Sequence, residues 1–391
     1  MVMKTLLLVV GFFILIISEL LKVYFIMPFP GSQQMNTIDF AYFIHFNIGY
    51  FRLAGLLLVG FSALHFLKNG SKAAKISIGI TFLVYLGLFY MVNFRFLADK
   101  IFYQPTTVSF SPGSETTFKL TDLVLGIEVN GEAKAYPIEH IGYHHQVRDT
   151  VGGRPVMVTY CTVCRTGRIF APEVKGVPET FRLVGMDHFN AMFEDSRTRS
   201  WWRQVNGEAI AGELKGTFLP ELASEQMALG AWLNKYPESL ILDQDTLFAE
   251  KYENMKDYDE GDSGSALTGR DSASWKEKSW VVGISLGSKS KAYDWNELVA
   301  KRVINDTLAA TPLLLALESD SVSFHAWERD SLVFTLSDTT TFLIDTNTGS
   351  LWNWKGDCVE GPLMGSKLKW VPAYQEFWHS WRTFNVGTGV Y

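Results

Sequence analysis

The sequence predicts an N-terminal all-α bundle of three transmembrane helices, then a duplicated, mainly-β extracytoplasmic region in which a short helix closes each repeat. Three observations carry this. Three apolar runs in the first 95 residues are each long enough to cross a bilayer. Two stretches of the remainder match at a constant offset of 157. In both stretches, alternating and β-branched patterns precede an amphipathic, helix-period segment. The predicted boundaries are 1–98 for the anchor, 115–242 for the first repeat, 243–279 for a polar connector and 280–391 for the second repeat.

The apolar runs cover 5–26, 40–66 and 76–94. Each supplies the roughly 20 residues that a helix needs to span about 30 Å of hydrocarbon. No small-x-small cleavage site follows the first run, so it reads as a retained helix rather than a signal peptide. Lys4 precedes it, Lys68, Lys72 and Lys75 separate the second and third runs, and the loop "MPFPGSQQMNTID" has no Lys or Arg. Positive-inside bias then puts the N-terminus in the cytoplasm. Three crossings put everything after about residue 99 on the other side, which in a bacterium with its N-terminus inside the inner membrane means the periplasm or the cell exterior, where thiols tend to be oxidised.

Glu19, Lys22, His45, Arg52 and His65 interrupt the runs. Charge at membrane depth is costly and seeks a partner. At about 1.5 Å of rise per residue, Glu19 and Arg52 lie at similar depths and are expected to pair. Helix packing explains these residues better than transport, because three helices without a polar stripe make a poor channel. The expected partners are the lipid bilayer and a larger membrane complex. A net charge of −6 without a basic stripe excludes nucleic acid.

The repeat begins at Gly126 and Gly283. It matches Lys134-Ala135-Tyr136 to Lys291-Ala292-Tyr293 and Asp149-Thr150 to Asp306-Thr307. "DSRTRSWW" from Asp195 then matches "DTNTGSLW" from Asp345 at an offset of 150. "LGIEVNG" alternates and stops at Asn-Gly, a hairpin turn. "RPVMVTYC" reads as a strand behind Gly-Gly, "GRIFAPEVKGVPETFRLV" as two short strands, and "SLVFTLSDTTTFLID" as another pair. The segments "SEQMALGAWLNKYPES" and "AYQEFWHSWRTF" close the two copies as helices. Residues 243–278 hold ten Asp or Glu against five Lys or Arg. "YDEGDSGSALTG" lacks the twelfth-position Glu of a calcium loop, so the segment reads as a solvated connector. Features shared by both copies are scaffold. The two Asp-Thr pairs are expected to shape turns, and Trp202 and Trp352 to fill cores.

Features of one copy alone are site candidates. Cys161 faces Glu318, Cys164 faces Ser321 and His144 faces Lys301 at the offset of 157. Cys358 aligns with Ala209 and reads as a small core thiol. Three readings of Cys161 and Cys164 stand. A redox pair gains from Arg165 and Arg168, which favour thiolate, although the following segment is a poor start for a thioredoxin-type helix. A zinc or copper site needs further ligands, since no second Cys-x-x-Cys exists, and His144, His145 or His188 would have to serve. A structural pair needs neither. Adjacent His144 and His145 would face opposite sides of a strand, so only one reaches a shared site. His188, in "GMDHFNAMF", and His140 read as surface residues.

The stretches "HHQVRDTVGGRPVMVTYCTVCRTGRIF" and "RSWWRQVNGEAIAGELKGT", the Asn190 segment and the closing helix resemble bacterial proteins grouped as domain of unknown function 3179. The resemblance covers about residues 120–391. Carried over by position, it implies His144, Cys161, Cys164, Asn190, Trp202 and Gln204 as site residues. Asn190 and Gln204 would supply hydrogen bonds to a bound group and Trp202 an apolar wall. This chain departs from the family pattern at His145, where an acid is common, and at Thr162 and Arg165, where Pro and Gly are. Gly-to-Arg at 165 weakens a zinc-knuckle reading, because glycine relieves the turn there.

The expected function is therefore that of a membrane-anchored extracytoplasmic protein whose Cys161, Cys164 and His144 bind a metal ion, zinc or copper, or perform thiol–disulfide chemistry with Cys161 as nucleophile. The alternative is a non-enzymatic scaffold or binding subunit of a membrane complex in which the pair is a structural disulfide.

Overall fold

The structure is a computed structural model and describes residues 2–337, 339 and 341–391. Its contacts divide the chain into two compact units. The first holds residues 1–103, 179–203 and 208–218, and the second holds 104–178, 204–207 and 219–391.

In the first unit, three helices, α1 (Val2–Tyr24), α2 (Ile38–Asn69) and α3 (Lys72–Phe94), are long and apolar enough to cross a membrane. Helices in lipid gain by close van der Waals approach at small residues. Here α1 and α2 cross at Gly11 and Gly55, where a Cβ on Gly55 would press on Leu15. The Glu19–Arg52 pair is present. Arg52 Nε donates to Glu19 Oε1 at 2.6 Å and Nη2 to Oε2 at 2.9 Å. Asn93 of α3 donates to Glu19 Oε2 at 3.0 Å and accepts from Lys22 Nζ at 2.5 Å, so all three helices share one polar knot.

The same unit carries a four-stranded antiparallel sheet, in the order Ala209–Ala211, Trp201–Arg203, Asn190–Asp195, Phe181–Asp187. The α1–α2 loop is stitched to it. Met186 N donates to Ile26 O at 2.9 Å and Phe189 N to Gln33 Oε1 at 3.2 Å. That loop and the sheet therefore share one side of the spans, as three crossings require. A two-residue turn, His188-Phe189, joins the last two strands with φ of 50° and 67°. Glycine and asparagine favour such a turn, and these two residues adopt it without that advantage.

The second unit is mainly β. Strands Leu123–Val129 and Glu132–Pro137 form the Asn-Gly hairpin, with Asn130 and Gly131 at positive φ. Along the first strand, Leu123, Leu125 and Ile127 enter one core, with Tyr160 and Val158 of the next sheet. Val124 points the other way, under Trp232 of the closing helix Leu229–Lys235. This period-2 split covers both faces and explains the unbroken apolar run.

The second series follows the same order. Four strands of the five-stranded sheet, 225–228, 123–129, 132–137 and 240–242, have their counterpart in the four-stranded sheet 373–377, 280–286, 289–294, 389–390, and Phe110–Pro112 is an added edge strand of the first. Local contacts correspond as well. Asp149 accepts from Lys134 Nζ at 2.9 Å and Tyr136 OH at 2.7 Å, while Asp306 accepts from Lys291 Nζ at 2.6 Å and Tyr293 OH at 2.9 Å. These aspartates lie in strands and receive the Lys-Ala-Tyr side chains, rather than shaping turns as expected. Trp202 Nε1 donates to Asp195 Oδ2 and Trp352 Nε1 to Asp345 Oδ2, each at 3.0 Å. Strands Phe334–Leu336 and Leu343–Asp345 pair as predicted, while Asp338 and Thr340 between them lie outside the described residues.

Candidate functional site

Strands Arg154–Cys161 and Thr166–Phe170 are antiparallel, with Cys161 opposite Thr166, so Thr162–Arg165 form the connection between them. β-Branched residues and the positive-φ pair Gly152-Gly153 set up the first strand. Neither cysteine is in a disulfide, and both are buried, Cys161 1% and Cys164 0% exposed.

Three successive loop carbonyls are gripped from outside. Tyr258 OH donates to Thr162 O at 2.9 Å, Lys278 Nζ to Val163 O at 2.8 Å and Phe377 N to Cys164 O at 2.9 Å. His379 Nε2 also lies 3.0 Å from Val163 O and 3.2 Å from Lys278 Nζ. Burial and the Lys278 charge hold His379 down to about 4, so its ring is neutral and Nε2–H donates to the carbonyl. Burial pulls Lys278 down to about 8, against the opposite pull of Cys164 and Cys161. That pull is reciprocal: the ammonium favours thiolate.

Arg165 takes φ 56°, the left-handed conformation in which glycine has the advantage. Its guanidinium compensates. It donates to Tyr258 O at 2.9 Å, Asp259 O at 2.8 Å and Gln375 Oε1 at 3.1 Å, and lies 3.8 Å from the Trp280 ring centre. Arg168 Nη2 donates to buried Glu376 Oε1 at 2.7 Å. Both guanidinium groups have these partners, and Lys278 is a cation on which both thiols act. Composition made 243–279 look like solvated connector and 280–391 look free of site residues. Tyr252 and Tyr258 are instead buried, and Gln375, Phe377 and His379 reach the cysteine hairpin.

Of the expected residues, Gln204 belongs with the hairpin. Its Nε2 donates to Thr159 Oγ1 and to Thr166 O, each at 3.1 Å, bridging the two strands that carry the cysteines. Gln204→Leu is expected to lower stability by about 1–3 kcal/mol, since a strand carbonyl and a buried hydroxyl lose their donor; a urea melt checks it. His144 ends the helix Ile138–His144, and His145 caps it at φ 60°, so the two do not share a strand. His144 Nε2 meets Tyr252 OH at 2.6 Å, and its ring stands edge-on to Phe248. The helix backs the loop through Gly142, which faces Thr162. His140 is buried against Tyr252 rather than surface-exposed.

Among the described residues, no group of three or more His, Cys, Asp or Glu side chains is set to hold a metal ion. The expected zinc or copper set of Cys161, Cys164 and His144 is therefore not brought together as such a group, and His144 Nε2 faces the Tyr252 hydroxyl. Asn190 and Trp202 belong to the first unit. Asn190 is fully buried at the start of its strand, and the Trp202 indole is tied to Asp195. His188 Nδ1 lies 2.7 Å from Asp187 Oδ1, and Asp187 Oδ2 accepts from Arg203 Nε at 2.6 Å. Lys278 and His379 escaped sequence reading because composition assigned one to a connector and the closing-helix pattern assigned the other to scaffold.

Fold and site together define a protein with three membrane-spanning helices and a mainly-β region that carries a buried Cys-x-x-Cys hairpin. The chain belongs to the DUF3179 family, described as proteins of unknown function, whose profile matches residues 103–388. No curated protein and no solved structure matches it.

Proposed function

We propose that the chain is a membrane-anchored thiol–disulfide exchange protein whose working couple is Cys161 and Cys164. One observation carries this reading: both thiols lie at one hairpin end, and both act on the Lys278 ammonium. The Cys161 thiolate attacks one sulfur of a partner disulfide and expels the other as thiolate. The Cys164 thiolate then attacks Cys161, releases the second partner sulfur and leaves a Cys161–Cys164 disulfide. Two electrons pass to the partner, whose sulfurs take up two protons.

The test is a thiol count and metal analysis of the full-length protein in detergent, with and without reductant. The expected result is no stoichiometric metal and a disulfide in equilibrium with glutathione. Bound zinc or copper lost on His144→Ala would sink the reading. Lys278→Met is expected to raise the apparent pKa of thiol alkylation by about one unit and to slow it about tenfold at neutral pH. An unchanged pH–rate profile removes Lys278 from the mechanism.

A second reading, a non-enzymatic scaffold, draws on the burial of both thiols. A disulfide resistant to reduction below about −300 mV would favour it. The same proposal places the β region in the periplasm, on the positive-inside argument from Lys4, Lys68, Lys72 and Lys75. It also treats the two series as duplicated units, which the matching Lys–Asp–Tyr and Trp–Asp contacts support.

A further inference from the structure

A cavity of about 650 Å³ opens in the second unit, lined by both series and the segment between them. Its size suits a small ligand. Three buried polar atoms on its wall have no hydrogen-bond partner: Trp280 Nε1, Arg270 Nε and Asp259 Oδ1. Trp280 is 4% exposed, and its indole N–H is closed off from bulk solvent. Buried donors and acceptors are rarely left unmade, and three on one wall point to a polar occupant.

The wall orders these atoms. The Arg165 and Arg270 guanidinium groups lie 3.8 and 4.1 Å from the Trp280 ring centre. Arg270 Nη2 donates to Asn296 Oδ1 at 2.9 Å, and its buried Nε has no partner. Asp259 Oδ2 accepts from Leu123 N at 2.8 Å, which leaves Oδ1. The lining carries six carboxylates, Asp122, Glu139, Asp259, Glu260, Glu318 and Asp320, against three cations. Burial and the neighbouring Asp259 and Asp122 push Glu139 up to about 7, and burial pushes Asp259 up to about 6. The carboxylates thus repel one another and favour an incoming positive charge.

We infer that this cavity binds a small zwitterion, an amino acid or short peptide, with its ammonium group on Asp259 and its carboxylate on the Trp280 and Arg270 N–H groups. The other classes each leave something unmade. A polyamine neutralises the carboxylates but offers no acceptor to two buried donors. A dicarboxylate satisfies the donors and meets six like charges. A neutral sugar can bond all three atoms yet gains nothing from the excess of negative charge. The site does not depend on the thiol reading, since no cysteine lines it.

Calorimetric titration of the full-length protein in detergent tests this, with alanyl-alanine, spermidine, glucose and succinate as probes. The expected result is that the dipeptide alone binds, and that Trp280→Phe and Asp259→Asn each weaken it about tenfold, the loss of one hydrogen bond to a charged group. Cys161→Ser is expected to leave it unchanged. No dipeptide binding, equal binding of any other probe, or full affinity in both variants overturns the assignment. The comparison of probes uses only the native chain, so it stands even where a variant fails to fold.

Discussion

Arg168→Met is expected to destabilise the second unit by about 3–5 kcal/mol, the range for removing one partner of a buried ion pair. Arg168 and Glu376 side chains are 4% and 0% exposed. Glu376 also accepts from Thr166 Oγ1 at 3.1 Å and Ser380 Oγ at 2.9 Å, but hydroxyls do not neutralise a buried carboxylate. Burial pushes Glu376 up from the ordinary carboxylate range, and Arg168 pulls it back. Without the guanidinium the upward push prevails. A carboxyl raised above its unfolded value contributes stability at low pH and loses it as pH rises through the folded value. The deficit should therefore be smallest in acid and grow toward neutrality, which thermal melts across pH will show. A pH-independent deficit would mean that lost packing on Tyr374, not charge, is responsible. The pair joins the cysteine hairpin to strand Ala373–Phe377, so thiol accessibility should rise in the same variant.

Gly283→Ala is the second large effect. A Cβ at this position would overlap the six-membered ring of Trp381, which is 2% exposed beneath the closing helix. Gly126 stands in the same relation to Trp232. A buried indole cannot shift without disturbing its own contacts, so overpacking should cost about 3 kcal/mol at each site. Trp381→Leu in the Gly283→Ala background should recover part of the loss, and a double-mutant cycle gives the coupling. Additive losses would show that the strain lies elsewhere, in the strand backbone.

These two sites show what each level of information supplied. The glycines were legible as a matched pair 157 residues apart, and the tryptophans as apolar positions of helical segments. Their contact was not legible, since nothing in either pattern says which helix covers which strand. The Glu19–Arg52 pair was legible because a membrane gives depth a simple ruler of 1.5 Å per residue. The Asn93 that completes it was not, because a neutral amide in an apolar run carries no comparable signal.

The sequence by itself determined the three spans, the β-rich remainder, the hairpin turn at Asn130-Gly131, the strand that follows Gly152-Gly153, and the attention due to Cys161 and Cys164. All of these rest on local pattern or on composition, where a few neighbouring residues decide the outcome. Only the tertiary structure decided that Lys278 and His379 attend the cysteine hairpin, that Arg165 and Arg168 are engaged by other partners, and that His144 meets the Tyr252 hydroxyl. Those side chains come together across 93 to 216 residues of chain, and the hydrogen bonds that select them exist only once distant segments have packed.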